Sequence, residues 1–147
     1  MKSDVKAIPD GYHAVTPYLV VQGVDRLIPF LNQAFGAEVK ERHTRPDGAV
    51  MHAELKVGDS IVMMGEAPEP KAASPSNLYL YVEDVDRTYR QALEAGGTSV
   101  REPADQFYGD RSGGVKDPSG NTWWISTHIE DVSPEEMERR QRAAQHG

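Results

Sequence analysis

The chain has no cysteine. That excludes disulfides, thiolate metal sites and cysteine nucleophiles together, and leaves His, Asp and Glu as the side chains able to grip a metal. Basic residues are outnumbered, 16 Lys plus Arg against 23 Asp plus Glu, for a formal charge of −7. Nucleic-acid binding rests on clustered Lys and Arg that release counterions from a phosphate backbone, so this balance excludes a nucleic-acid partner. Long apolar runs are missing as well. Stretches such as Tyr18–Val21 and Ile61–Met64 are far too short to cross a bilayer, and no membrane role is expected. Residues 1–11 carry charges and Pro9 but no apolar signal-type core, so the expected compartment is the cytoplasm. No P-loop, GxGxxG, GxSxG or HExxH occurs, and nucleotide and α/β-hydrolase chemistry find no support.

What is present is an internal repeat. TPYLVVQGVDRLIPFLNQAFGAEV, residues 16–39, returns without gaps as NLYLYVEDVDRTYRQALEAGGTSV, residues 77–100. The pairs Tyr18/Tyr79, Leu19/Leu80, Val21/Val82, Val24/Val85, Asp25/Asp86, Arg26/Arg87, Gly36/Gly97 and Val39/Val100 are identical. Two similar halves in a chain of 147 residues point to two small modules that share a core and a cleft.

Each half reads as βαβββ. In the first, Tyr18–Val21 has the character of a buried strand. Val24, Leu27, Ile28, Leu31 and Phe35 then recur at helical spacing, with Gly36 placed to take positive φ after the helix. Pro29 is expected in the first turn of a helix that begins near Asp25 or Arg26. Strands at 37–42, 49–57 and 60–64 follow, separated by the Arg45-Pro46-Asp47-Gly48 and Gly58-Asp59 turns. The second half repeats the order with a strand at 78–82, a helix at 85–95 and a strand at 98–102. An irregular stretch then leads through Tyr108 to strands at 113–116 and 121–127, joined by Asp117-Pro118-Ser119-Gly120. The organisation is an arm (1–14), a first module (15–65), a Pro/Ala/Ser-rich linker (66–76), a second module (77–131) and a charged helix or tail (132–147). Ser133, Pro134, Glu135 and Glu136 supply its N-cap, its first-turn proline and acids against the helix dipole.

Two βαβββ modules with a DPxG turn before the last strand resemble the vicinal oxygen chelate superfamily, which includes glyoxalase I, bleomycin-resistance proteins and extradiol dioxygenases. The stretches TPYLVV, FGAE, MHAELKVGDS, LYLYVEDVD, QFYGDRSGGVKDPSGNTWWISTHIED and SPEEM resemble its PhnB-like branch. The resemblance implies an α+β fold whose two mixed sheets curl around a half-barrel cleft that takes a ligand, often across a homodimer. Many members hold a divalent metal with one residue from each of four strands. Those four positions fall at Thr16, Met63, Asn77 and Trp124 here. None suits a hard or borderline divalent ion, so the usual metal is expected to be absent and no cofactor is expected.

Three groups of residues then carry the candidate chemistry. His52 and Glu54 alternate onto one face of a strand, with Met51, Ala53 and Leu55 on the other. The pair reads as a general acid and base, as two ligands of a displaced metal, or as a structural pair. For the loop Tyr108-Gly109-Asp110-Arg111 the resemblance implies a cavity-bordering element in which Tyr108 stacks on a ligand and Arg111 holds an anionic group; the alternative is that Asp110 and Arg111 fix the hairpin. Tyr18, Met63, Tyr79, Tyr81 and Trp124 are expected on cleft walls that favour flat or apolar ligands, with core packing as the alternative. Trp123 and Trp124 are consecutive, so one is expected in the core and the other in the cleft. His128 and Glu130, like the isolated His13 and His43, read as surface residues. The expected function is small-molecule binding without the usual metal. The alternative is a lyase or isomerase in which His52 and Glu54 move a proton.

Overall fold

The computed structural model describes residues 4–146; Met1 to Ser3 of the arm and Gly147 of the tail lie outside the described residues. Strand β1 (Tyr18–Val21), helix α1 (Val24–Phe35) and strands β2 (Glu38–Thr44), β3 (Val50–Val57) and β4 (Ser60–Glu66) form the first module. Strand β5 (Asn77–Tyr81), helix α2 (Val85–Glu94) and strands β6 (Thr98–Asp105), β7 (Asp110–Lys116) and β8 (Thr122–His128) form the second, and α3 (Pro134–His146) follows. The sheets have the orders β1-β4-β3-β2 and β5-β8-β7-β6, with β1 parallel to β4 and β5 parallel to β8. The repeat seen in the sequence is thus a repeat of topology, and the fold is α+β with two βαβββ modules. The sheets do not close into a barrel.

Local chemistry explains the element ends. The carboxylate of Glu66, the last residue of β4, accepts from the backbone N–H groups of Gly23 and Val24 at 2.9–3.1 Å, which satisfies the first turn of α1. At the other end Gly36 takes φ 68° and donates to Asn32 O, as the sequence predicts. In the second module Asp84 caps α2 by accepting from Arg87 N, and Thr127 Oγ1 accepts from Val85 N at 3.0 Å. Ser133 caps α3 through Glu136 N at 3.2 Å. Pro29 departs from expectation, because α1 starts at Val24 and carries Pro29 in its interior. Asp25 and Pro29 are both exposed, so the carbonyl that loses its i+4 donor faces water, where the loss costs least.

The helices α1 and α2 pack on each other and on one face of each sheet. Leu19, Val21, Ala53, Leu55 and Met64 of the first module and Val115, Trp123 and Ile125 of the second are buried in a single cluster. Phe35 of α1 meets Trp123 of β8 with ring centroids 5.0 Å apart. Both modules therefore share one core, and the opposite face of each sheet is left for other work. Among the described residues no helix is long and apolar enough to cross a membrane.

Candidate functional site

Alternation along the strands fixes what the open faces carry. In the first sheet the register sets Tyr18 beside Met63, and Met63 beside Glu54, while Ala53, Leu55 and Met64 turn to the helices. His52 Nε2 lies 2.9 Å from Glu54 Oε2, and Tyr18 OH lies 3.3 Å from His52 Nδ1. The sequence gives no sign of the next member: Tyr12, on the arm, donates its phenolic proton to Glu54 Oε1. Glu54 is buried. Burial works to raise its pKa, but the hydrogen bonds from His52 and Tyr12 prevail and hold the carboxyl below its ordinary value. In return, chiefly through that bond to Glu54, the Tyr12 phenol is pushed up to about 12. A cavity of about 460 Å³ lies here, with Ile8, Pro9, Tyr12, Glu41, Glu54 and Met63 in its walls.

The open face of the second sheet is more polar. Tyr79 and Trp124 are register partners, as are Tyr81 and Ser126, and Asp110 and His128. Asp110 is only 3% exposed, yet its carboxylate is well supplied with donors. Tyr79 OH donates to Oδ2 at 2.8 Å and Tyr81 OH at 3.0 Å, and His128 Nδ1 lies 2.8 Å from Oδ1. The other imidazole nitrogen, Nε2, is 2.7 Å from Asp131 Oδ1. Burial opposes ionisation of Asp110, and the bonds from His128 and the two phenols overcome it, so the carboxyl stays below its ordinary pKa. His128 is raised by its bonds to Asp131 and Asp110. The Tyr79 phenol is raised by burial and by its contacts with Tyr108 and Asp110, against the opposite pull of the Ser126 and Ser112 hydroxyls. Arg101 stands 5.0 Å over the Trp124 ring.

The structure thus brings Tyr18, His52, Glu54 and Met63 together on one open face and Asn77, Tyr79, Tyr108 and Trp124 on the other. Of the two roles expected of Arg111, holding a ligand's anionic group or fixing the hairpin, the structure shows the second. One residue after Asp110 on β7, Arg111 turns to the helix side, where it forms a two-pronged pair with Asp86 of α2 at 2.9 and 3.0 Å and bonds Asp105 at 3.1 Å. Its guanidinium is spent on fixing the hairpin. His128 is exposed, as expected, and it also orients the buried Asp110. A signal for that pair exists in the sequence: residues 110 and 128 lie equally far from Ser119, the middle of the turn, so a regular hairpin sets them opposite each other.

The four positions where the superfamily's metal ligands fall do not form a cation site. Thr16 Oγ1 donates to His13 O at 3.1 Å, and Asn77 Oδ1 accepts from the Trp124 indole at 3.2 Å. Met63 offers only a thioether, and the Trp124 ring offers no lone pair. Among the described residues no three His, Asp or Glu side chains converge into a metal-holding group. The residues present do not fit the metal. Elsewhere, a gap of about 450 Å³ between the modules is lined by Pro17, Val57, Val62, Leu78, Leu80 and Trp123 among others.

Known proteins share this architecture. The chain is 33% identical over 136 residues to the uncharacterized protein Rv0887c of Mycobacterium tuberculosis, covering 85% of this chain and 80% of that protein. Among solved structures, TioX from Micromonospora sp. ML1 superposes with a TM-score of 0.68 at 27% identity, over 80% of this chain and 99% of that one. A glyoxalase/bleomycin resistance protein/dioxygenase family enzyme from Burkholderia phytofirmans PsJN gives a TM-score of 0.64 at 19% identity, over 78% and 97%; at that identity it speaks for the fold alone. The sequence profile of the Glyoxalase/Bleomycin resistance protein/Dioxygenase superfamily matches residues 12–125, and the chain belongs to that superfamily.

Proposed function

We propose that this protein is a small-molecule receptor of the PhnB-like branch, which takes a flat or apolar ligand against the open faces of its two sheets and works without the superfamily's usual metal. The observation that carries this reading is the chemistry of the four ligand positions: a hydroxyl, a thioether, a carboxamide and an indole, three of them already tied into local hydrogen bonds. Around them stand Tyr18, Tyr79 and Tyr81, all at least 45% exposed, which is the aromatic and thioether wall that small-molecule sites favour. A homodimer fits these surfaces, because β2 and β6, the outer strands, are exposed along nearly their whole length and a second copy would cover such edges. The cytoplasm is the compartment that suits a cysteine-free acidic chain. Trp124 reports on the site. Planar aromatic ligands should quench its emission, the quench should vanish in Trp124→Phe, and silence across a broad panel would refute the receptor reading.

A second reading is favoured by one observation, the continuous hydrogen-bonded row Tyr12, Glu54, His52, Tyr18. Glu54 is held ionised and can accept from His52 Nε2, so Nδ1, beside the Tyr18 hydroxyl, is the nitrogen that would take the proton. On that reading the chain is a lyase or isomerase in which His52 takes a proton next to a carbonyl. Turnover of an α-hydroxy or α-keto substrate that is lost in both His52→Ala and Glu54→Gln would support it, and turnover that persists in both would refute it.

A further inference from the structure

We propose that the open face of the second sheet binds an organic ammonium ion, whose charged head sits among the rings of Tyr79, Tyr81 and Tyr108 above the buried carboxylate of Asp110. This deepens the receptor reading and rests on it, since it says which end of a ligand this wall would take.

Proton bookkeeping carries the inference. A phenol has one proton. Tyr79 and Tyr81 both spend theirs on Asp110 Oδ2, and an ionised carboxylate has none to return. In the 3.4 Å contact between Tyr79 and Tyr108 the proton must therefore be that of Tyr108. All three phenolic oxygens then present lone pairs and nothing else, so a group that meets them has to donate. The rings of Tyr79 and Tyr81 are 5.2 Å apart and inclined at 56°, and the Tyr108 hydroxyl lies 3.4 Å from that of Tyr79, which gathers three electron-rich rings at one end of the sheet.

The neighbouring cations are engaged. Both nitrogens of His128 are committed to Asp110 and Asp131, and the Arg101 guanidinium lies 5.0 Å over Trp124 and donates to Ser112 Oγ at 3.3 Å. The phenols offer an anionic ligand no proton, because each is already spent.

The test is calorimetric titration near neutral pH with benzylammonium and, as its uncharged counterpart, benzyl alcohol. The cation should bind at least about tenfold more tightly than the alcohol, the difference a cation over several aromatic faces provides. That preference should fall in Tyr81→Phe, which removes one oxygen from a side chain 60% exposed and leaves the fold intact, and in Asp110→Asn, with circular dichroism confirming that each variant is folded. Equal affinities for the two probes, or a preference that survives both substitutions, would overturn the inference and leave the receptor reading standing. Binding of planar aromatics with no binding of benzylammonium would do the same. If neither probe nor the planar panel binds, both readings fall.

Discussion

Replacing Asp117 by alanine removes a carboxylate on which four donors converge. Asp117 is 4% exposed and accepts from Ser119 N at 2.9 Å, Asn121 N at 3.0 Å, Asn121 Nδ2 at 3.0 Å and the Trp123 indole at 2.8 Å. The last three bonds are buried. A buried donor left without an acceptor costs about 1–3 kcal/mol, and water entering the space the carboxylate vacates would recover part of that. A loss of roughly 3–5 kcal/mol is the result, a large share of the about 5–15 kcal/mol that holds a domain folded. Asp117→Asn keeps one accepting oxygen and should lose only about 1–3 kcal/mol. Urea unfolding followed by Trp fluorescence measures both, with an unchanged slope expected because the exposed surface is the same. A loss below about 1 kcal/mol for the alanine variant would refute the reasoning, and with it the claim that this turn sets the register of β7 against β8. That register is what places Asp110 opposite His128.

Three further outcomes follow from the same structure. Gly109 has φ 99°, and an added Cβ would run into the carbonyl oxygen of Glu130, so Gly109→Ala should cost roughly 1–3 kcal/mol and loosen the segment leading to α3, read as faster amide exchange at Ile129 and Glu130. Arg111→Ala should lower the melting temperature slightly and leave ligand affinity unchanged, because its guanidinium serves Asp86 and Asp105 in a solvent-screened setting; a large loss of affinity at full stability would contradict that placement. In its folded state His128 lies above the ordinary 6.5, so its ion pairs stabilise fully below that pH and weaken as the pH rises through the higher folded value. Asp110 lies below the ordinary 3.8, so its share is complete above that pH and drains as the pH falls through the lowered value. The melting-temperature gap between the natural chain and His128→Gln should accordingly be widest between those two pH values and shrink above neutrality, and a gap that does not vary with pH would contradict the pairing.

Much of this fold is legible in the residues, because periodicity and turn chemistry act locally. The 61-residue repeat maps onto the structure as it stands, with Val24 and Val85 opening the two helices and Gly36 closing the first. The strands β2 and β6 run longer than expected, to Thr44 and Asp105, since exposed edge strands lack the apolar alternation that marks a strand's extent. Pro29 misleads for a related reason: a helix interior tolerates proline where the orphaned carbonyl is hydrated, and only tertiary packing decides that. Alternation also tells which face a side chain takes, and so it finds His52 with Glu54 and Tyr79 with Trp124. It does not tell what a long side chain will reach. Arg111 finds Asp86, 25 residues away, and Tyr12 crosses from the arm to Glu54, 42 residues away; neither contact leaves a periodic trace.

On the receptor reading, the open faces of these sheets take a ligand without a resident cation. Elemental analysis of protein purified without chelators, repeated on His52→Ala and Met63→Ala, tests it most directly. No stoichiometric divalent ion is expected in any of the three, alongside undiminished quenching of Trp124 by ligand in the natural chain. One equivalent of a transition metal, lost when His52 or Met63 is replaced, would contradict it.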